Sequence, residues 1–260
     1  MTNDPGTGSI RCGVLGSGNM GVQIAECLAE HGFDTVLRTR DISRKDKIAE
    51  KIAGHIRRRH DEGESAGILS RIRITDDLSD LGGCDVVFES VVENLDAKCA
   101  LLDEVTGRIG KGAMVLSNTS ALSIAEMRKH HARLYGFHFF NPLRSMKLVE
   151  VIAEKGSEDA GFLVSLAEAM GKTPVFVPDR PGFIVNRLLL SQINSAVRMC
   201  DSGMFDQKDI DVAIRLGLNH PMGPFELADY IGLDVCLFIL NEMYDQLGAP
   251  YYKPADSIVR

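Results

Sequence analysis

Two sets of residues in this chain have the types and spacing to do chemistry. The first is the turn GSGNMG, residues 16–21, which follows the apolar stretch CGVL and opens an amphipathic stretch. It fits the pattern G-x-G-x-x-G in the strand–turn–helix context that gives that pattern meaning. Gly16 allows the tight turn, Gly18 lets the backbone approach a pyrophosphate, and Gly21 allows close helix–strand packing. Asn19 and Met20 complete the turn, whose helix N-terminus offers free N–H groups to an anion. The second set is four polar residues in otherwise apolar or turn surroundings: Ser120 in SNTSAL, His138 in GFHFFNP, Glu150 in MKLVEV and Asn186 in PGFIVNRLLL. A strand-end histidine near a nicotinamide can take or give a hydroxyl proton while hydride moves. A carboxylate on its other ring nitrogen would fix the tautomer. Ser and Asn can bond the oxygen that changes between carbonyl and hydroxyl. Each also has a plain alternative: a satisfied core histidine, a solvated strand face for Glu150, a helix N-cap for Ser120, a helix surface for Asn186. Spacing alone does not choose between them.

The elements that must position these residues are legible in outline. Strands are expected at 12–15, 34–38, 72–75, 84–91, 113–120, 134–141, 148–153 and 173–179. Helical stretches separate most of them, including a charged segment over 43–70 and shorter ones at 94–107, 122–130 and 158–170. Such alternation implies an α/β fold with a Rossmann-type, doubly wound, mostly parallel sheet. From Pro181 onward the pattern is helical throughout, so a smaller all-α domain should follow. The prolines at 178 and 181 mark the boundary, giving a dinucleotide-binding domain at 1–178 and a helical domain at 179–260.

The second strand ends where such a fold usually places an acid on a ribose, about twenty residues after the glycine turn. Here the sequence reads Arg38, Thr39, Arg40, and the acid, Asp41, comes late. A small hydroxyl beside two guanidinium groups leaves room for a 2′-phosphate and binds it well. This favours NADP over NAD, unless the loop lets Asp41 bend back to the ribose.

Composition narrows the classes further. The 260 residues are 45% hydrophobic and 25% charged, with a net charge of −7, ordinary for a globular protein and against nucleic acid as a partner. The start, MTNDPGTGSIR, has no apolar core of a signal peptide. No run approaches ~20 apolar residues, so no membrane span is expected. Six scattered cysteines, without a CxxC pair or Cys/His spacing, imply core thiols in a reducing cytoplasm and no metal.

Taken together, GVLGSGNMG, FESVVENLDAK, LSNTSAL, FHFFNP, MKLVEVI, PGFIVNRLL and NHPMGPFELADYIGLD resemble the 3-hydroxyacyl-CoA dehydrogenase family, close to its short-chain 3-hydroxybutyryl-CoA type. The resemblance runs in family order over nearly the whole chain. It implies that His138 is the acid/base, that Glu150 holds it, and that Ser120 and Asn186 bind the substrate oxygen. It implies Glu93 and Lys98 of ENLDAK near the nicotinamide end of the cofactor, with Asn118 of SNTS and Asn141 of HFFN in the same set. It further implies an acyl-CoA thioester substrate and a homodimer formed through the helical domain. Arg57 and Arg58, in the run Arg57-Arg58-Arg59, fall where relatives meet CoA phosphates, although a solvated helix face explains them equally. Arg144, where relatives usually have an apolar or proline residue, can meet an acidic substrate group or the carrier's phosphate. Relatives usually continue past the equivalent of Arg260 with a glycine- and lysine-rich segment. Two rivals stay open: the same hydride chemistry on an acyl-carrier-protein thioester or a free hydroxy acid, and a non-catalytic dinucleotide-binding protein. The intact Ser–His–Glu–Asn set argues against the second.

Overall fold

The computed structural model describes residues 10–259. The segment MTNDPGTGS, on which the expectation of no leader rests, lies outside the described residues, as does Arg260. The chain divides into two compact units. One comprises the chain up to Thr119 together with Ser123–Asp179; the other comprises Ser120–Leu122 and the chain from Arg180 onward.

In the first unit β1 (Arg11–Leu15) leads through the glycine turn into α1 (Asn19–Glu30) and then β2 (Asp34–Arg38). Gly32, with φ of 90°, follows the end of α1 and turns the chain back. The charged segment expected as one helical stretch is two helices, α2 (Lys45–Arg57) and α3 (Glu62–Ser70), ahead of β3 (Ile72–Thr75). The break has a local cause: Asp61 is extended, and its carboxylate accepts the Glu64 N–H at 2.8 Å, capping α3. Then come β4 (Val86–Glu89), α4 (Leu95–Thr106), β5 (Met114–Ser117), α5 (Ile124–Arg128) and β6 (Leu134–Phe139). β7 (Leu148–Ile152), α6 (Ala160–Ala169) and β8 (Thr173–Val177) close the series.

β4 and β5 are shorter than the apolar runs suggest, because side chains at their ends capture backbone groups. Glu89 accepts the Val91 N–H at 2.8 Å, and Ser117 Oγ accepts the Thr119 N–H at 3.3 Å. Both chains therefore turn as they leave the sheet.

The strands form one eight-stranded sheet in the order β3-β2-β1-β4-β5-β6-β7-β8. All neighbours are parallel except β6 and β7. From β1 the chain first builds outward through β2 and β3, then crosses to β4 on the other side. That reversal opens a crevice at the carboxyl end of β1, where the glycine turn sits. The strands read as continuous apolar runs because both faces are covered; Val14, Leu15, Val86, Phe88 and Leu116 are wholly buried. Ile24 and Leu28 of α1, with Ile52 and Ile56 of α2, join Val14, Val86, Phe88 and Leu116 in one core. Burying each such side chain contributes ~1.5–3 kcal/mol.

The second unit holds α7 (Val185–Asp201), α8 (Gln207–Leu218), α9 (Pro224–Ile231), α10 (Leu233–Leu247) and the short α11 (Asp256–Val259). Its core takes Leu190, Ile193 and Val197 from α7 and Cys236, Ile239, Leu240 and Met243 from α10, both at helical spacing. Buried Asn194 ties the C-terminal segment to α7: its amide donates to the carbonyls of Tyr251 and Lys253 and accepts the Ala255 N–H.

Candidate active site

The glycine turn has the geometry its sequence requires. Gly16 has φ of 104°, and a Cβ there would stand 2.4 Å from the Ser90 carbonyl oxygen. A Cβ on Gly21 would stand 1.9 Å from the Gly16 oxygen. These two glycines are thus explained by the protein's own packing. Gly18 is not: its φ of −69° suits any residue, and nothing lies within 4 Å of a Cβ built on it. Its missing side chain leaves approach open to something from outside. α1 also starts with no side-chain cap and no acidic residue in its first turn, whereas α3 and α4 start with capping Asp61 and Asn94 and carry acids. An uncapped helix N-terminus beside an open glycine suits a pyrophosphate.

At the end of β2, Thr39 is buried, and its hydroxyl bonds Ser17 Oγ at 2.9 Å and the Asp41 carbonyl at 3.2 Å. Arg38 is half-buried, with Nε donating to the Asp76 carbonyl at 3.4 Å, and Arg40 is exposed. Asp41 is engaged locally. Its Oδ1 accepts the Ser43 hydroxyl at 2.6 Å and the Ser43 N–H at 3.1 Å, capping the turn Ile42–Arg44. The Ser43 hydroxyl bond holds this carboxyl below its usual range, with Arg44 and Arg40 adding to the effect.

The antiparallel register of β6 and β7 sets His138 directly opposite Glu150. Their side chains are 5% and 1% exposed, and His138 Nδ1 lies 2.8 Å from Glu150 Oε2. The solvated-face alternative for Glu150 is thereby excluded. A carboxylate partner makes Nδ1 the N–H nitrogen and leaves Nε2 as the atom that can exchange a proton. The Phe140 ring packs on the imidazole with centroids 4.6 Å apart. Asn118, just past β5, steadies the end of β6: its Oδ1 accepts the Phe139 N–H at 2.9 Å, which turns its amide NH₂ away from the strand.

Glu93 is 28% exposed and held on both oxygens, by Thr119 Oγ1 at 2.6 Å and by Lys98 Nζ at 3.3 Å. Lys98 itself is drawn inward. At 1% exposure its ammonium also bonds Glu89 Oε1 at 2.6 Å. Its place is therefore behind Glu93, as the group that holds that carboxylate. Glu89, which the sequence reading passed over, completes this knot by accepting Ser117 Oγ at 2.5 Å. A lone charge inside the apolar run VVFES was the signal that could have flagged it.

Asn141, exposed at the start of the loop after β6, bonds Gln23 of α1 at 3.0 Å and Asn19 at 3.4 Å. These residues line a cleft of about 410 Å³ that also takes in Glu26, Arg59, Arg144 and Lys172. Lys172 is buried, and its ammonium donates to the carbonyls of Leu143 and Met146, pinning the loop; burial pushes its pKa down. Arg57 and Arg58 are exposed at the C-terminal end of α2, apart from the residues lining this cleft. Arg59 pairs with Glu30 at 2.8 Å and Glu26 at 3.3 Å. In the second unit, Asn186 is half-buried at the start of α7. Ser120 is half-buried too, next to Ala121, which joins the core that includes Leu190 and Ile193 of α7. The N-cap of α5 is Ser123, so the capping alternative for Ser120 falls. Among the described residues no group of His, Cys, Asp and Glu could hold a metal ion, and no helix is long and apolar enough to cross a membrane.

A doubly wound sheet, a glycine turn at its switch point and a buried His–Glu pair define an oxidoreductase of the nicotinamide-dependent dehydrogenase class. The model of the 3-hydroxyacyl-CoA dehydrogenase NAD binding domain matches residues 11–180, and that of the family's C-terminal domain matches residues 182–260. The chain belongs to the 3-hydroxyacyl-CoA dehydrogenase family. It is 36% identical to a probable 3-hydroxybutyryl-CoA dehydrogenase of Deinococcus radiodurans, over 95% of this chain and 92% of that one. With the human mitochondrial hydroxyacyl-coenzyme A dehydrogenase it shares 39% identity, over 94% of this chain and 83% of that one. The crystal structure of (S)-3-hydroxybutyryl-CoA dehydrogenase from Ralstonia eutropha superposes with a TM-score of 0.91 at 34% identity, covering 96% and 93% of the two chains.

Proposed function

We propose that the protein interconverts a (3S)-3-hydroxyacyl-CoA thioester of the 3-hydroxybutyryl-CoA kind and its 3-oxoacyl partner. The observation that carries this reading is the buried His138–Glu150 pair, in direct register on two adjacent strands. Ser120, His138, Glu150 and Asn186 are its proposed catalytic residues. In reduction, His138 Nε2 delivers a proton to the C3 oxygen, and in oxidation it removes one. Glu150 holds the ring by Nδ1 and stabilises the imidazolium. Ser120 and Asn186 donate hydrogen bonds to the same oxygen. A bound nicotinamide supplies or accepts the hydride at C3. Gly16, Gly18, Asn19, Met20 and Gly21 hold its pyrophosphate, and Glu93, Asn118 and Asn141 hold its nicotinamide end, with Lys98 fixing Glu93. Arg57, Arg58 and Arg144 meet the carrier's phosphates. Residues 1–178 act as the cofactor domain and 179–260 as the substrate and dimerisation domain.

NADP is the preferred cofactor in this reading. Its support is that Asp41 is committed to Ser43 while Arg38 and Arg40 flank a buried Thr39. A homodimer is supported by the apolar groove of the second unit, about 380 Å³ and lined by Ala196, Met199, Phe205, Ile210 and Ile214. Met204 and Leu216 of the same unit are also exposed, at 76% and 78%. The six free thiols fit a cytoplasmic setting.

The test is reduction of acetoacetyl-CoA with NADPH and NADH in parallel, alongside an acyl-carrier-protein thioester and the free acid. Turnover of the CoA thioester with NADPH preferred is the expected result. NADH preferred would overturn the cofactor assignment alone. Turnover confined to the carrier-protein thioester or the free acid would replace the substrate.

A further inference from the structure

We propose that Gln23 is a positioning residue that fixes Asn141 as a hydrogen-bond donor to an acceptor oxygen of the bound cofactor. This rests on the proposed function. Gln23 sits on α1, one turn beyond Asn19, and faces the loop that follows β6. Its side-chain amide is held at both ends by backbone groups. Oε1 accepts the Leu143 N–H at 2.8 Å, and Nε2 reaches the Asn19 carbonyl at 3.4 Å. A backbone N–H can only donate and a backbone carbonyl can only accept, so the orientation of this amide is not open to exchange. Nε2 therefore faces Asn141 as a donor and bonds its Oδ1 at 3.0 Å. Asn19 Nδ2 approaches the same oxygen at 3.4 Å. With its carbonyl oxygen facing two donors, Asn141 turns its NH₂ outward.

The polarity of an exposed amide is thus set by a chain that begins at one backbone N–H, runs through Gln23 and ends at Asn141. Asn19 lies in the glycine turn, so the presented NH₂ stands beside that turn, on the cofactor's proposed path. The ligand atoms expected there are ribose hydroxyl, phosphate and carboxamide oxygens, all acceptors. Asn118 is oriented by the same rule, through the Phe139 N–H, so the loops after β5 and β6 each present an amide donor.

The substitution Gln23→Glu inverts this polarity with almost no change of shape. A carboxylate can still accept the Leu143 N–H, but it offers no donor to Asn141. Asn141 would then turn its NH₂ inward and present an oxygen to the ligand. Reduced-cofactor dissociation constants, read from nicotinamide fluorescence on the full chain, test this without any turnover. Gln23→Glu should weaken the better-bound of NADPH and NADH by about tenfold at neutral pH, more than Gln23→Ala does. The loss should recede as the pH falls and the carboxyl regains a proton to donate, while Gln23→Ala shows no such recovery. The added charge alone could weaken binding, so the same substitution is made in an Asn141→Ala background. There its effect should collapse, because the amide it misorients is gone. Equal losses for Glu and Ala, or an undiminished loss in the Asn141→Ala background, would overturn the assignment. Thermal unfolding of each variant separates misfolding from misorientation. Acetoacetyl-CoA turnover by the unaltered chain is measured separately, so failure of the thioester reading leaves the binding cycle readable.

Discussion

The sheet buries two carboxylates against nitrogen partners, Glu89 on β4 and Glu150 on β7, and those partners differ in chemistry. Glu89 is saturated: it accepts from Lys98 Nζ, the Val91 N–H and Ser117 Oγ, all within 2.8 Å. Its principal partner is a fixed ammonium that is itself shared with Glu93. Every contact there holds a loop in place. Glu150 instead meets an imidazole through one nitrogen, 2.8 Å away. A histidine has a second ring nitrogen that can give or take a proton, whereas a lysine held between two carboxylates has no comparable second face. Burial and a short ion pair thus do not identify a catalytic group. The proposed acid/base role rests on the proton chemistry of the partner.

Substitutions should separate the two pairs cleanly. The largest effect is expected at His138: His138→Ala should lower kcat ~10²–10⁴-fold, while reduced-cofactor binding is retained. A variant that keeps full turnover would end the proposed acid/base role and leave the pair looking like that of Glu89. Glu150→Gln should keep the fold, since an amide oxygen can still accept the Nδ1–H, yet cost ~10²-fold or more in kcat through loss of the imidazolium's countercharge. The converse holds at the structural knot. Lys98→Met leaves Glu89 buried without its cation and should destabilise the chain by about 3–5 kcal/mol in urea unfolding. A Lys98→Met chain as stable as the unaltered one would mean that Glu89 does not depend on its cation. Smallest of all, Ser117→Ala removes one neutral donor to Glu89. It should cost about 1.5–3 kcal/mol and leave kcat intact. A fall in kcat at Ser117 would show that the knot reaches the chemistry after all.

Much of this protein is written locally. The glycine turn, the strand–helix alternation and the change to a helical pattern after Pro181 depend on periodicity and on residues within a turn of one another. The break between α2 and α3 was equally local, at the Asp61 cap, though the charged run around it concealed it. The identities of Ser120, His138, Glu150 and Asn186 could be taken from motifs. The reason His138 and Glu150 meet could not, because β7 pairs antiparallel with β6 and only that register brings the two side chains face to face. Lys98 looked like a ligand contact from its motif, and burial beside Glu89 turned it inward. Asp41, the late acid after β2, has one carboxylate oxygen on the Ser43 hydroxyl two residues away, a local bond that motif reading does not show. Gln23 carries no signal in the chain at all, since its partners Asn141 and Leu143 lie far off in sequence. Propensity, capping and periodicity act between neighbours, so sequence alone determined the elements and the candidates for reactive groups. Strand register, burial and the direction of each hydrogen bond depend on which distant segments pack together, and only the tertiary structure decided those.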